Sequence, residues 1–393
     1  MGYASPLPPF LTRSSLVVLC AVLLLPGVPG LPPGVCRAQA VPRTDTPRGG
    51  TLRLTFEPVI TTWDYEFTPQ GRLPIGVSLP ATVFVRQEQR VTPLQLEYGI
   101  TNRIAIGFKA PLVRVNSRQS YNVDTAGTPD GAGLALDTLL NDTTYAYGSL
   151  SPTPRNLHYF AGDMEVQAKY RFIESETYAI SGTFLVRLPT GHQDSPNNLF
   201  DIPTGDHQTD FEIQVAQELT LFHRLWLNAS VRLANQRPGT RDMRIGPQPG
   251  KEGLLQFKSR SELLLPHAAL AKLNWDPGDY VALDLAPLYR FSKFFAAGFT
   301  AGYYAKQSDH YSYQSAQDSI AVTTHMGGTP LAADLLDPGT SVRRWRLGVA
   351  LTYMGPDEEG SASFEQTVSA SAGERVPAAT VFRIVMRLSR WPF

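Results

Sequence analysis

Charged side chains recur at every second position in several stretches, and this spacing is the main chemical signal in the chain. Asp163, Glu165, Lys169 and Arg171 alternate with Met164, Val166, Ala168, Tyr170 and Phe172. Arg187 stands in a second such run, Asp210, Glu212 and Glu218 in a third, and Arg224 and Arg232 in a fourth. Asp284, Arg290, Arg344, Arg346, Glu365, Arg383 and Arg387 carry it toward the C-terminus. Carboxylates and guanidiniums gathered on one face can select and guide a solute, or neutralise one another in a narrow interior. Both readings stay open at this point. The mixture of signs argues against a strongly ion-selective pore.

Other chemistry has less support. His158, His192, His207, His223, His267, His310 and His325 are scattered, with no HxxxH-type ligand spacing. Serines abound in loop-like stretches, but none sits in a nucleophile-elbow pattern. His223 reads as a turn residue. The Asp/Asn cluster over 130–142 matches no Ca²⁺ loop and reads as a solvated loop. No catalytic, metal or cofactor site is expected. A Ser/His or Asp/His pair assembled in space is the weaker alternative.

The elements that position the charges are strands. A period of two gives each strand one dry and one wet face. Over 162–191 the dry face carries Tyr178, Ile180, Phe184, Val186 and Leu188 after the first run, with aromatics at both ends. Such ends resemble the girdles of outer-membrane barrel strands. A half-exposed soluble sandwich has the same alternation, so the hairpin alone does not decide.

The N-terminus favours the membrane. Arg13 precedes LVVLCAVLLL (16–25), and a Pro/Gly-rich stretch ends at Ala38-Gln39-Ala40. A charged start, a short apolar core and a small-x-small site predict a secretory signal peptide over 1–40. Cys20 and Cys36 fall within it, so the mature chain is expected to lack cysteine and to rely on burial and backbone pairing. Without Arg13 and Arg37 it carries 33 basic against 35 acidic residues, which suggests no nucleic-acid partner. No later stretch is apolar enough for a membrane helix, so membrane embedding must be by strands.

Turn lengths alternate along the chain. A first strand over 51–67 is expected to change phase at Pro58. Strands over 91–100 and 103–116 flank the tight turn Thr101-Asn102, and a polar insertion over 117–160 follows. The hairpin of 162–191 leads to a second polar loop (192–206), then to strands at 208–221 and 224–236 around Phe222-His223. Further strands are expected at 279–291, 294–306, 343–354, 361–370 and 379–393, with 307–341 as a loop. Short turns alternating with long polar loops match the periplasmic turns and external loops of outer-membrane barrels. Residues 237–278 are assigned mostly to an external excursion, because a full strand there would break the alternation. The prediction is an all-β fold: an antiparallel transmembrane outer-membrane β-barrel of about twelve strands spanning 41–393.

Phe382, Ile384, Met386 and Leu388 alternate with Arg383, Val385, Arg387 and Ser389, and the chain ends in Phe393. An aromatic terminus on an amphipathic strand suggests recognition by the barrel assembly machinery. With EYGITNRIAIGFKAPLVR (97–114), Gly162-Asp163, KYRF (169–172) and LPTG (188–191) in view, the chain resembles the phenol meta-pathway transporter family. That resemblance implies an outer-membrane barrel linked to uptake of small aromatic or apolar compounds. It fixes no binding residue.

The expected function is therefore an outer-membrane channel for small, apolar or aromatic solutes, with outer-membrane lipid and the solute as partners. A structural or surface-binding barrel is the alternative. The expected lumen lining is Asp163, Glu165, Lys169, Arg171, Arg187, Asp210, Glu212, Arg232, Arg344, Arg346, Arg383 and Arg387. Within the 117–160 insertion, AGLALDTLL (132–140) is unusually apolar. Leu134, Leu136, Leu139 and Leu140 are expected to plug the mouth, as a short helix or as a packed loop.

Overall fold

A computed structural model describes residues 43–68, 71–75, 83–121, 131–147, 159–193, 195–197, 202–245, 265–325, 328, 331–338, 340–355, 358–372 and 376–388. The expected signal segment and the terminal Phe393 lie outside them.

The chain starts with β1 (Leu52–Phe56) and β2 (Val59–Trp63), then the short β3 (Tyr65–Thr68) and β4 (Gly71–Pro74). A long hairpin, β5 (Val83–Gly99) and β6 (Ile104–Tyr121), precedes helix α1 (Gly131–Asn141). Next come β7 (Tyr159–Ala161), β8 (Glu165–Glu174), β9 (Tyr178–Arg187), β10 (Asp210–Leu221) and β11 (Leu225–Gln236). β12 (Gly239–Arg244) and β13 (Leu270–Asp276) lead to β14 (Tyr280–Arg290) and β15 (Phe295–Lys306). β16 (His310–Tyr313) and helix α2 (Ala316–His325) precede β17 (Val342–Met354), β18 (Glu358–Ala372), β19 (Val376–Pro377) and β20 (Thr380–Leu388).

Among the described residues, twelve antiparallel strands close on themselves when β1 is counted with β2 and β7 with β8. Each strand pairs with its sequence neighbour in the barrel, and β20 returns to β1 and β2. Closure leaves no free sheet edge, as hydrocarbon requires. Among the described residues, the excursion over 237–278 contributes no wall strand, because β11 pairs directly with β14. Its β12 and β13 instead join β16 in a separate sheet at the long-loop end. β3, β4 and β19 form another.

The expected change of phase at Pro58 does not occur. Phe56 faces Leu94 and Val59 faces Val91, so the register against β5 continues unbroken. Proline removes one backbone N–H without turning the strand over, and the Pro58 carbonyl still accepts the Ile384 N–H at 3.0 Å. At Pro111 the register does slip: Lys109 faces Glu165, but Leu112 faces Ala161. The extra residue lies in the Gly162-Asp163 stretch, where the Gly162 N–H reaches the Pro111 carbonyl at 2.8 Å.

The outer face is apolar. Ile106, Val166, Phe299, Leu347 and Phe364 are all exposed, Phe299 at 70%. Such a continuous belt on a closed barrel is a lipid-facing surface. At the short-turn end, Phe291 and Phe295 stack 6.3 Å apart and Tyr353 packs 5.5 Å from Phe295. At the other end, Tyr303 lies 4.6 Å from Trp345. These pairs form the two aromatic girdles. The β10–β11 turn has Phe222 and His223 at φ of 49° and 58°, the left-handed pair of a tight hairpin turn. His223 is thus a turn residue.

Candidate functional site

The inward residues meet at a cavity of about 270 Å³. Among the described residues, nine basic side chains face it: Arg43, Arg53, Lys109, Lys169, Arg187, Arg232, Arg346, Arg383 and Arg387. Six acids do so: Glu57, Glu97, Glu165, Glu212, Asp284 and Glu365. Register places partners on neighbouring strands, and each acid is engaged. Lys109 lies 3.0 Å from Glu165, and Arg187 reaches Glu165 at 3.4 Å and Glu212 at 4.0 Å. Arg232 lies 3.1 Å from Asp284, and Arg346 bridges Asp284 at 3.6 Å and Glu365 at 3.4 Å. Arg383 meets Glu57 at 3.3 Å, and Arg53 meets Glu97 at 3.7 Å. Tyr280 donates its hydroxyl to Glu212. Pairs of this kind offset the desolvation of charges held inside the wall.

Of the twelve residues expected along the lumen, Glu165, Lys169, Arg187, Glu212, Arg232, Arg346, Arg383 and Arg387 line this cavity. The other four do not line this cavity. Asp210 is fully buried against Arg187 at 2.9 Å. Arg171 lies near the β8–β9 turn, paired with Glu174 at 2.6 Å. Arg344 lies against the Tyr304 ring, 4.7 Å from its centroid. Asp163 is a loop clasp, because it precedes the regular part of β8. Its carboxylate accepts the N–H of Gly191 at 2.7 Å and of Asp206 at 3.1 Å. A Cβ on Gly205 would lie 2.4 Å from that carboxylate, so the close approach needs glycine. Thr190 completes the clasp by donating to the Gly162 carbonyl at 2.7 Å. The Gly162-Asp163 and LPTG motifs are therefore two halves of one fastening.

That fastening folds the β9–β10 loop back on the barrel. Ile202 is buried against Val113 and Val115, next to Trp63 and Val91. Strand parity puts Val91, Val113 and Val115 on the same side as Glu97 and Lys109, so this apolar patch lies on the lumen wall toward the long loops. The patch is missing from the expected site, since a 192–206 loop rich in Asp, Asn and Pro gives little sign of turning inward. The short apolar run LFDI (199–202) was its one signal.

Helix α1 extends the same apolar surface. Leu136 and Leu140 are buried with Ile75, Val85 and Tyr147, and Leu139 and Trp63 pack around them. Val85 shares the parity of Glu97, so the helix lies against the inner side of the β5 extension. Leu134, expected in the plug, is 55% exposed. Two residues from Leu136 at about 100° each bring it to the opposite helix face. Arg244 ties the long loops together here, donating to Tyr145 O and, at 2.7 Å, to Asn197 Oδ1, and lying 3.8 Å above the Tyr147 ring.

The short-turn end is closed differently. Residues 43–46 enter the barrel, with Arg43, Thr44 and Thr46 buried. Arg43 pairs with Asp45 at 2.9 Å and with Glu359, and Asp45 pairs with Arg53 at 2.7 Å. Thr44 donates its N–H to Glu218 at 2.9 Å, and Thr46 donates to Asn102 O at 2.8 Å. Burial alone would raise the Asp45 carboxyl, but Arg43 and Arg53 hold it well below the usual carboxylate range. Gly99 makes room for this strap: a Cβ there would lie 2.2 Å from Arg48 O. Beside it, Trp226, Leu288 and Met354 fill the interior with Ala286, Ala296 and Ala350. Trp226 has the parity of Arg224 and Arg232. It does face inward, but into an apolar filling.

Among the described residues, no group of three His, Cys, Asp or Glu could hold a metal ion. No family model and no curated protein matches the chain. Among solved structures, the COG4313 outer membrane channel from Pseudomonas putida F1 superposes with a TM-score of 0.53 at 10% identity. The superposition covers 89% of this chain and 99% of that one. The NanC porin (TM-score 0.37, 10% identity, 85% of this chain and 98% of that one) is more distant. So is the Pseudomonas putida toluene transporter TodX (TM-score 0.35, 10% identity, 88% and 91%). The first of these likenesses supports the fold, a closed barrel of outer-membrane type.

Proposed function

We propose that this chain is an outer-membrane channel for small apolar or aromatic solutes. The observation that carries the reading is a lipid-facing apolar belt around a closed wall that encloses a solvent-sized cavity. The barrel similar to it in fold is itself described as an outer membrane channel. Preference for apolar or aromatic solutes rests on the apolar surface from α1 through Trp63 and Ile202 to Val113, and on the sequence resemblance to phenol meta-pathway transporters. Purely hydrophilic pores have no use for such a lining at the mouth. On this reading 1–40 is a removed signal peptide, β20 and the residues after it carry recognition by the assembly machinery, and α1 obstructs the mouth.

Uptake of the apolar dye N-phenylnaphthylamine by intact cells tests the reading. Cells expressing the barrel should take it up faster than cells carrying an empty vector. Equal uptake at equal surface expression, with or without residues 132–140, would remove the transport assignment.

A further inference from the structure

We propose that Lys169 and the polar row beside it form a docking site for the carboxylate of a small organic acid with an apolar body. The proposal deepens the channel reading by naming a substrate class, and it stands on a separate observation. Each of the six acids facing the cavity has a basic partner, as described above, whereas three more bases than acids face the same space. Lys169 is the surplus cation. It is 8% exposed, lines the cavity, and has no ion-pair or hydrogen-bond partner among the described residues.

Glu97 and Asp45 attract the ammonium through space, but neither stands within ion-pair distance of it. Asp45 is held between Arg43 and Arg53, Asp210 is on Arg187, and Glu359 is shared by Arg43 and Arg387. Glu218 holds the Thr44 N–H.

Register adds two donors to the lysine. Lys169 faces Thr183 on β9, and Thr183 faces Gln214 on β10. All three line the cavity, and neither Thr183 nor Gln214 has a side-chain partner among the described residues. Strands about 4.8 Å apart make this a row roughly 10 Å long, with one full positive charge and no carboxylate in it. A buried, unpaired ammonium is costly unless an anion meets it. A carboxylate accepts from an ammonium and a hydroxyl together, and such charge-assisted bonds are the strong ones. The cavity, near the lower end of the roughly 300–1,000 Å³ usual for small-molecule sites, restricts the acid to one of single-ring size. The apolar patch of Val113, Val115 and Ile202 on the way in suits its body.

Benzoate is the probe, and benzamide its neutral counterpart. Calorimetric titration of the folded barrel in detergent at low salt should show benzoate binding at least tenfold tighter than benzamide. Lys169→Gln should abolish that preference, and Lys169→Arg should retain most of it, with heat-modifiable migration confirming that both variants fold. Equal binding of the two probes by the parent chain, or an unchanged preference in Lys169→Gln, would overturn the site. Binding needs no ion flow, so failure here leaves the dye-uptake result standing, and failure of dye uptake leaves this site standing.

Discussion

At the short-turn end of the barrel, the lumen narrows on charges: residues 43–46 cross it, fixed by Arg53, Glu359 and Glu218. At the long-loop end it closes on apolar side chains, with Leu136, Leu140 and Ile202 packed around Trp63. The two closures have different physics. A buried ion network is specific in geometry and fails sharply when one partner is lost. An apolar contact is non-directional and yields gradually as surface is removed. The first is suited to a fixed constriction, the second to a mouth that can yield.

The largest effect should come from breaking the charged closure. Asp45→Ala leaves Arg43 and Arg53 without their shared partner, and removing one member of a buried pair costs about 3–5 kcal/mol. Urea unfolding in detergent should show that loss. A change below about 1 kcal/mol would mean that the strap is solvated.

Next comes the contrast between wall faces. Val166→Arg puts a cation on the lipid side at a cost of about 2–4 kcal/mol, while Gln167→Arg meets a polar lumen. Heat-modifiable folding in bilayers should fail for the first and persist for the second. Equal behaviour would invert the faces or deny the membrane.

At the apolar closure, Leu140→Ala should cost about 2 kcal/mol, the low end for a buried leucine. It should appear as faster proteolysis of α1 with the wall strands unaffected. Leu134→Ala, on the exposed helix face, should change nothing beyond about 0.5 kcal/mol. Similar losses at both positions would mean that the helix is packed by its other side.

The smallest effect concerns pH. Burial, together with the Asp210 and Asp163 carboxylates, pushes the Asp206 carboxyl up to about 6. The folded chain therefore keeps this proton to higher pH than the unfolded chain. The stability it contributes is fully present below about pH 4 and is lost as pH rises through about 6. Asp206→Asn should flatten the stability profile in that window. A profile unchanged by the substitution would assign the slope to another group.

Much of the wall was readable because a barrel strand repeats one instruction every two residues. Leu94, Leu96, Tyr98 and Ile106 face outward as alternation predicts, and short turns predict where neighbouring strands join. The closures were less readable, because they depend on loops whose side chains answer to no period. Leu136 and Leu140 announced an apolar element, but only helical geometry separates them from Leu134. Asp163 belonged to the charged alternation until the slip at Pro111 took it off the wall. Trp226 followed the parity of lumen residues, and nothing local showed that its partner on the next strand, Leu288, and Met354 near it were apolar too. The strap at 43–46 reads as a linker because Pro, Arg and Thr are linker residues wherever burial is not known.

Single-channel recording on the refolded chain tests the central claim, a conducting lumen obstructed by α1, most directly. The parent protein should give small unitary steps in planar bilayers. Deleting 132–140 should enlarge them at least twofold without lowering the unfolding midpoint of the wall, since no strand pairing is lost. Absence of steps from both proteins, or identical steps from both, would contradict the account.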